Sequence, residues 1–214
     1  RTKVSKQFEE LVKKKIAFPV KPFYESYKYI LEEDKFDSFD ELPFVIIGSG
    51  LAAIEMAFAL RKRWEYRPLI LVCKLQKLSD KFIFWLKKFK IILKPRINFN
   101  YKKILLCTGN APHHWIENNY LRLDSRGRII TNSTLRSEQF SNIYAIGDCA
   151  YSGKSQLNSS GILAVKAVKR LSENIKNNLN RKKLKKWYPQ KKGLQIVNLF
   201  NDSNQSAFAV YGRF

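Results

Sequence analysis

The apolar positions of this chain run in short unbroken blocks separated by stretches of helical spacing. Phe44-Val-Ile-Ile47 is a run with no polar position, as expected of a strand buried on both faces. Gly48-Ser-Gly50 interrupts it, and an apolar stretch of helical length follows from Leu51 to Leu60, ending near Arg61-Lys-Arg63. Pro68 precedes a second strand-like block, Leu69-Ile-Leu-Val-Cys73. From Asp80 to Lys90 the spacing is helical again, with Phe82, Ile83, Leu86 and Phe89 set against Lys81, Lys87, Lys88 and Lys90. Ser79 or Asp80 is placed to cap that helix. Ile91-Ile-Leu93 predicts a short strand, and Ile104-Leu-Leu-Cys-Thr-Gly-Asn110 a strand that ends in a glycine turn.

The flanking regions are less regular. Residues 1–15 are basic and helix-prone, and Phe18-Pro-Val-Lys-Pro22 breaks that helix. Phe23 to Leu31 predicts an aromatic helix, followed by an acidic, polar connection through Glu41. Further on, Leu121 to Ile130 predicts a hairpin turning at Asp124–Gly127. Asn142 to Ala150 predicts a buried strand running into a Gly-Asp turn. Ser159 to Asn180 predicts a long helix with Ile162, Val165, Val168, Leu171 and Ile175 on its apolar face. Two last strands, Leu194–Phe200 and Ala207–Tyr211, flank the polar turn Asn201-Asp-Ser-Asn204.

Charge changes the picture more than length does. The 214 residues carry 40 Lys+Arg against 18 Asp+Glu, a net charge of +22. That imbalance implies attraction to anionic lipid, nucleic acid or phosphorylated ligands, unless it is a solvated, lysine-rich surface and no more. The densest cluster spans Lys166–Lys192 and contains Arg181-Lys-Lys-Leu-Lys-Lys186. Cys73, Cys107 and Cys149 are far apart, with no C-x-x-C, so neither a redox dithiol nor a zinc knuckle is predicted. A reducing compartment is expected. His113 and His114 are the only histidines, and no acidic or cysteine cluster joins them to make a metal set. No apolar run reaches the roughly 20 residues of a membrane-spanning helix.

The strand–turn–helix at 44–60 carries the candidate chemistry. Gly48 permits a sharp exit from the strand. Gly50 removes the side chain that would keep a pyrophosphate from the backbone N–H groups at the helix start, where the helix dipole favours negative charge. Ala53 takes the third place of the G-x-G-x-x-G/A pattern, where a small residue lets helix and strand approach. Ser49, Leu51 and Ala52 complete the candidate nucleotide turn, and Glu55 stands on the first turns of the helix.

Three segments in order, the nucleotide turn, Thr108-Gly109 and Ala145-Ile-Gly-Asp-Cys-Ala150, resemble the FAD-dependent pyridine nucleotide-disulfide oxidoreductase superfamily. Val20-Lys-Pro-Phe, Cys107-Thr-Gly-Asn-Ala-Pro-His-His-Trp115, Thr134-Leu-Arg-Ser and Trp187-Tyr-Pro-Gln bring the resemblance closer to type II NADH dehydrogenase-like flavoproteins, notably the kind found with selenide, water dikinase. The resemblance covers about residues 18–212. It implies an α/β fold: a Rossmann-like NAD(P)-binding domain, then the C-terminal half of an FAD-binding domain and the start of a small C-terminal β region.

The expected division is a basic helical lead-in at 1–42, the NAD(P)-binding domain at 43–106, the FAD-domain part at 107–186 and the β region at 187–214. By the same resemblance the cofactors are FAD and NAD(P)H, Glu55 is the catalytic candidate near the nicotinamide, and Thr108-Gly109 returns the chain to the flavin domain. Gly147-Asp148 would close over the flavin, with Asp148 accepting a hydrogen bond from the ribityl chain. Ser160, Gly161 and Ile162 would start a helix aimed at the flavin ring edge. The partners implied are NAD(P)H and a quinone-like acceptor, with peripheral contact to an anionic membrane and a cytoplasmic location.

The sequence departs from that pattern in places. Nothing before Phe44 resembles the amino-terminal FAD fingerprint, and Arg1 and the end at Arg213-Phe214 read as the ends of a piece of a longer chain. The stretch between Lys74 and Lys103 has room for a helix and a strand but barely for a further crossover. The second strand ends in Cys73-Lys74, not in an acidic residue that would bond an NAD ribose. Lys74 and Lys77 read either as contacts for the 2′-phosphate of NADP or as solvated lysines. Asn158-Ser159 stands where the resembling proteins often have Pro-Lys. The competing reading is a non-enzymatic, degenerate flavoprotein-like protein whose Lys/Arg surface meets an anionic membrane or nucleic acid.

Overall fold

A computed structural model describes residues 2–36, 42–117, 120–152, 161–190, 192–199 and 207–213. Its helices are α1 (Lys6–Lys13), α2 (Phe23–Glu33), α3 (Leu51–Arg63), α4 (Asp80–Lys88), α5 (His114–Glu117) and α6 (Gly161–Leu179). Its strands are β1 (Ala17–Pro19), β2 (Phe44–Ile47), β3 (Leu69–Val72), β4 (Ile91–Lys94), β5 (Lys103–Leu106), β6 (Ile129–Thr131), β7 (Ala150–Ser152), β8 (Lys192–Asn198) and β9 (Ala207–Arg213). The chain divides into two compact units. One is Arg1–Gly109 with Gln195–Val210, and the other is Asn110–Leu194 with Tyr211–Phe214.

The first unit is built on a five-stranded sheet in the order β1-β5-β2-β3-β4. All of its pairings are parallel, in register Phe44↔Leu69, Leu69↔Ile91, Phe44↔Lys103 and Ala17↔Ile104. A parallel sheet needs cover on both faces, and the uninterrupted blocks supply it because alternate residues point to opposite sides. Phe44, Ile46, Leu69, Leu71, Ile91 and Leu105 pack on one side with Tyr29 and Ile30 of α2, the apolar face of α3, and Phe82 and Leu86 of α4. Val45, Ile47, Ile70, Val72, Ile104 and Leu106 pack on the other with Phe8 of α1, joined by Val12, Ile97 and Tyr101. This is the α/β fold with a Rossmann-like parallel sheet that the pattern predicts.

One feature of this unit lies outside the sequence expectation. The helix-breaking segment at 18–22 starts with a strand: Ala17–Pro19 forms the sheet edge beside β5. Proline is tolerated there because an edge strand has one side without ladder bonds. The link from β4 to β5, residues 95–102, contains no strand, in keeping with the little room the sequence leaves there for a further crossover.

A buried ionic cluster ties α2 to the sheet. The Glu33 carboxylate, almost wholly enclosed, accepts from Arg67 Nη2 at 2.8 Å and from Lys103 Nζ at 2.7 Å. Arg67, fully buried, also lies over the rings of Trp64 and Phe44 at 4.8 and 5.4 Å. Next to it, Asp34 accepts from Arg63 Nε at 2.7 Å and Trp64 Nε1 at 2.8 Å. The Arg63 hydrogen bond holds the Asp34 carboxyl below the usual aspartate range.

In the second unit the expected hairpin appears as a turn at Asp124–Gly127 with an antiparallel bridge between Leu123 and Ile129. Asp124 holds the turn by accepting from the Arg126 and Arg128 backbone N–H groups and from the Arg128 guanidinium. β6 pairs in parallel with β7, and a small core gathers Ile116, Ile129 and Ala145.

Two expectations are corrected here. Asn142–Ala150 is not a buried strand. It makes one isolated bridge, Arg136↔Tyr144, then a 3-10 turn over Gly147–Cys149, and only its last residue, Ala150, enters a strand. Without a neighbouring strand along 143–146, its apolar residues other than Ala145 stay half-exposed.

The packed face of α6 is also different. Leu163, Ala167 and Asn174 are buried, whereas Val165 is 73% and Leu179 78% exposed, with Ile162, Val168 and Ile175 on the open side too. The helical period of the apolar residues locates the helix, but the packed face is set by polar anchors: Asn174 bonds inward to Thr134 and Lys185. No described helix is long and apolar enough to cross a membrane.

Candidate functional site

The centre of the parallel sheet places the candidate turn. β2 ends at Ile47, the Gly48 N–H donates to Val72 O at 3.0 Å, and Gly50 caps α3 with extended backbone. The two glycines are needed for different reasons. A Cβ on Gly48 would lie 2.5 Å from Cys107 O and 2.9 Å from the Ala53 Cβ, so that position must be glycine for the turn to close against β5. A Cβ on Gly50 would meet no atom within 4 Å. The space above the start of α3 is therefore open, as a ligand approaching that helix end requires.

The helix start itself is suited to an anion. Ala53 and Ile54 donate back to Gly50 O at 3.0 and 3.3 Å. The N–H groups of Leu51 and Ala52 meet no acceptor among the described residues. These two donors, the dipole of a 13-residue helix and the lack of any acidic residue in its first turn favour a phosphate there. Ser49 braces the turn: its Oγ accepts from the Lys74 N–H at 2.8 Å, which leaves the hydroxyl hydrogen to donate elsewhere. Lys74 and Lys77 are exposed just beyond the end of β3.

Thr108-Gly109 is brought to the same end of the sheet. Cys107 N donates to Ile47 O at 2.8 Å, and Cys107 O is the atom that Gly48 packs against. Thr108 Oγ1 donates to Lys3 O, the Lys3 N–H donates to Gly109 O at 2.9 Å, and Gly109 has φ +98°. A side chain would strain that backbone. The N-terminal segment thus clasps the turn, an arrangement no local sequence signal announces. Thr2 extends the clasp, since its Oγ1 accepts from the Lys21 N–H at 2.7 Å.

Glu55 lies one turn along α3, and its Oε1 accepts from the Asn198 backbone N–H at 3.3 Å. The carboxylate therefore faces the end of β8 and keeps one oxygen for other partners. All three thiols are pushed above the ordinary cysteine range by burial, Cys107 to about 12. They are neutral packing groups at physiological pH.

The remaining candidates lie in the second unit. Gly147 has φ +72°, and a Cβ there would sit 3.2 Å from the Ala164 Cβ, so the Gly-Asp turn packs closely on the first turns of α6. Asp148 follows in that turn. Gly161 opens α6 with nothing within 4 Å of its would-be Cβ, and Ile162 beside it is partly exposed. Ser160 lies outside the described residues. The structure thus gathers Gly48 to Ala53 with Thr108 and Gly109 in one group, and Gly147, Asp148, Gly161 and Ile162 in another.

Residues 72–170 match the family model described as pyridine nucleotide-disulphide oxidoreductase. The matched segment begins after the glycine turn. No curated protein matches the chain.

Among solved structures, the NAD-dependent persulfide reductase from A. fulgidus is similar with a TM-score of 0.63 at 18% identity, over 86% of this chain and 38% of that one. A reduced CoADR-RHD from Bacillus anthracis gives 0.61 at 18% identity, over 86% and 37%. An engineered water-forming NADPH oxidase bound to NADPH gives 0.60 at 18% identity, over 86% and 45%. At such identities the likeness is one of fold, and the chain spans less than half the length of each of these structures.

Proposed function

We propose that this chain is the nucleotide-handling part of an FAD-dependent NAD(P)H oxidoreductase of the type II NADH dehydrogenase kind, passing electrons from nicotinamide through flavin to a quinone-like acceptor. The observation that carries the reading is the pairing of two glycines. Gly48 is forced by the protein's own packing, whereas Gly50 faces open space at a helix start with two free N–H donors. Gly50 also caps α3, but no packing contact in the described residues requires a glycine there. The family match over 72–170 and the shared fold support the same reading.

In this account Leu51 and Ala52 N–H bind the pyrophosphate of NAD(P)H, Ser49 donates its hydroxyl hydrogen to the same group, and Gly50 clears the approach. Glu55, held by Asn198, positions the nicotinamide end. Lys74 replaces the usual acidic ribose partner, which favours a phosphorylated ribose. When the flavin is bound, Asp148 would accept a hydroxyl hydrogen bond from its ribityl chain, and the start of α6 at Gly161 and Ile162 would favour negative charge on its ring through the helix dipole. The flavin, when bound, supplies the two-electron redox chemistry, and the chain supplies binding and orientation. On this reading the protein works in the cytoplasm, in peripheral contact with an anionic membrane that carries the acceptor.

The test is a visible spectrum of the protein equilibrated with FAD and freed of excess by gel filtration, before and after anaerobic NADPH and, separately, NADH. A retained flavin spectrum that bleaches supports the proposal. A protein that retains no FAD overturns it.

A further inference from the structure

The segment after α6 doubles back along that helix and builds a cationic cleft with no part in the nucleotide turn. Asn174, fully buried, is the clamp. Its Nδ2 donates to Lys185 O at 2.8 Å and to Thr134 O at 2.9 Å, and its Oδ1 accepts from Lys185 N at 2.8 Å. Asn177 adds a bond from Nδ2 to Lys183 O at 3.1 Å and accepts from the Lys182 N–H through its own backbone oxygen at 2.7 Å. The Trp187 N–H donates to Ser133 O at 2.8 Å. These bonds fix the backbone of 182–187 through main-chain groups, without using the side chains of Lys183 and Lys186.

Arg170, Lys183, Leu184, Lys185, Lys186 and Tyr188 then line an open cleft of about 590 Å³. Glu173 is the carboxylate that answers these cations, at 2.9 Å from Arg170 and 3.8 Å from Lys185. Lys183 and Lys186 have no acidic partner within ion-pair distance among the described residues. Four cations sharing one carboxylate repel one another, and the backbone clamps hold them together against that repulsion. Such a preorganised excess of positive charge is completed by a multiply charged anion. The volume admits a group larger than a single carboxylate, and the ring of Tyr188, 77% exposed, offers a flat apolar face at the rim.

We propose that this cleft binds a phosphate ester or polyphosphate group. The proposal does not rest on the flavoprotein reading, since every residue in it lies in the second unit and outside the candidate nucleotide residues. The group can be carried by a soluble phosphorylated molecule or by a lipid headgroup.

The experiment is calorimetric titration of the whole chain with inorganic tripolyphosphate at fixed ionic strength. Three proteins are compared: the unaltered chain, Lys183→Gln/Lys186→Gln, and Lys6→Gln/Lys13→Gln, which removes the same charge from exposed sites on α1. Saturable binding that weakens about tenfold or more in the cleft variant, and less than twofold in the α1 variant, is expected from loss of two charge-assisted contacts. Equal weakening in both variants, or no saturable binding, overturns the proposal by reducing the effect to bulk charge. Circular dichroism confirms that the cleft variant is folded.

A competition arm with vesicles of phosphatidylserine and phosphatidylcholine identifies the source. Displacement of tripolyphosphate by vesicles supports the site with a lipid headgroup as ligand. Tripolyphosphate binding undisturbed by vesicles supports it with a soluble ligand.

Discussion

Gly48 and Cys107 touch so closely that the position where a Cβ would stand at Gly48 is 2.5 Å from the Cys107 carbonyl oxygen. The neighbour is backbone directly after β5, held to β2 by the Cys107 N–H bond to Ile47 O, so it cannot swing aside. Gly48→Ala is therefore expected to destabilise the protein by about 1–3 kcal/mol through overpacking. Urea unfolding checks this, and an unchanged midpoint would mean that β2 and β5 can separate without cost.

The buried cluster around Glu33 gives a second prediction. Arg67→Ala leaves an enclosed carboxylate with only Lys103, which is partly exposed, as counter-ion. Breaking a buried pair from one side costs about 3–5 kcal/mol. Lys103→Met retains the Arg67 bond and is expected to cost clearly less. Denaturation of the two variants side by side tests the ranking, and equal losses would contradict it.

Acid should act through Asp34 and Asp124. The Arg63 hydrogen bond lowers Asp34. At Asp124 burial raises the carboxyl, but hydrogen bonds from Arg128 and Arg126 outweigh it and the net shift is downward. A carboxyl lowered in the folded state binds protons less readily there than in the unfolded chain. Its contribution is present above the unfolded value of about 3.9 and is lost as pH falls through the folded value. Urea titrations from neutral pH downward are expected to show stability falling in that window. The fall should be shallower in Asp34→Asn and Asp124→Asn, and a slope identical to the unaltered protein would refute the assignment.

The thiols offer a further check. With Cys107 pushed to about 12 by burial and Cys73 and Cys149 also raised, alkylation by iodoacetamide at mildly alkaline pH should be slow in the native state and complete in urea. Cys107 should be the slowest, as peptide mapping after a timed pulse would report. Rapid native labelling of Cys107 would mean that β5 is not enclosed as described.

The clamp at Asn174 predicts a local effect. Asn174→Ala removes three hydrogen bonds from a buried position and is expected to cost about 1–3 kcal/mol. Hydrogen exchange should show the Lys185 amide losing protection while β2 and β5 keep theirs. Retained protection at Lys185 would show that the returning segment is held by other contacts.

The parallel β2–α3–β3–α4–β4 core was legible because each element is encoded locally, by unbroken apolar blocks, a glycine turn and helical spacing in turn. What the sequence hid depends on distant partners. β1 is three residues long and exists because β5, far along the chain, pairs with it. Arg67 and Glu33 form an ion pair across 34 positions, and each alone looks like a solvated charge. On α6 the apolar period located the helix but not its packed face, because polar bonds from Asn174 decide which side turns inward. Asn142–Ala150 has strand-forming residues and no strand to pair with beyond one bridge. Within the candidate site, the two glycine positions were readable from the motif, whereas the clasp of Lys3 on Thr108-Gly109, with Thr2 bonded beside it to Lys21, was not.

The central claim is that open space at Gly50 exists to admit a pyridine nucleotide, and NADH and NADPH titration of the unaltered protein and Gly50→Val tests it most directly. The backbone at Gly50 is extended and an added Cβ meets nothing within 4 Å, so the variant should keep its stability within about 1 kcal/mol. The account predicts saturable binding of at least one of the two nucleotides, weakened about tenfold or more by Gly50→Val through lost contacts to the helix-end N–H groups. A protein that binds neither nucleotide, or a folded variant that binds as tightly as the unaltered chain, would contradict it.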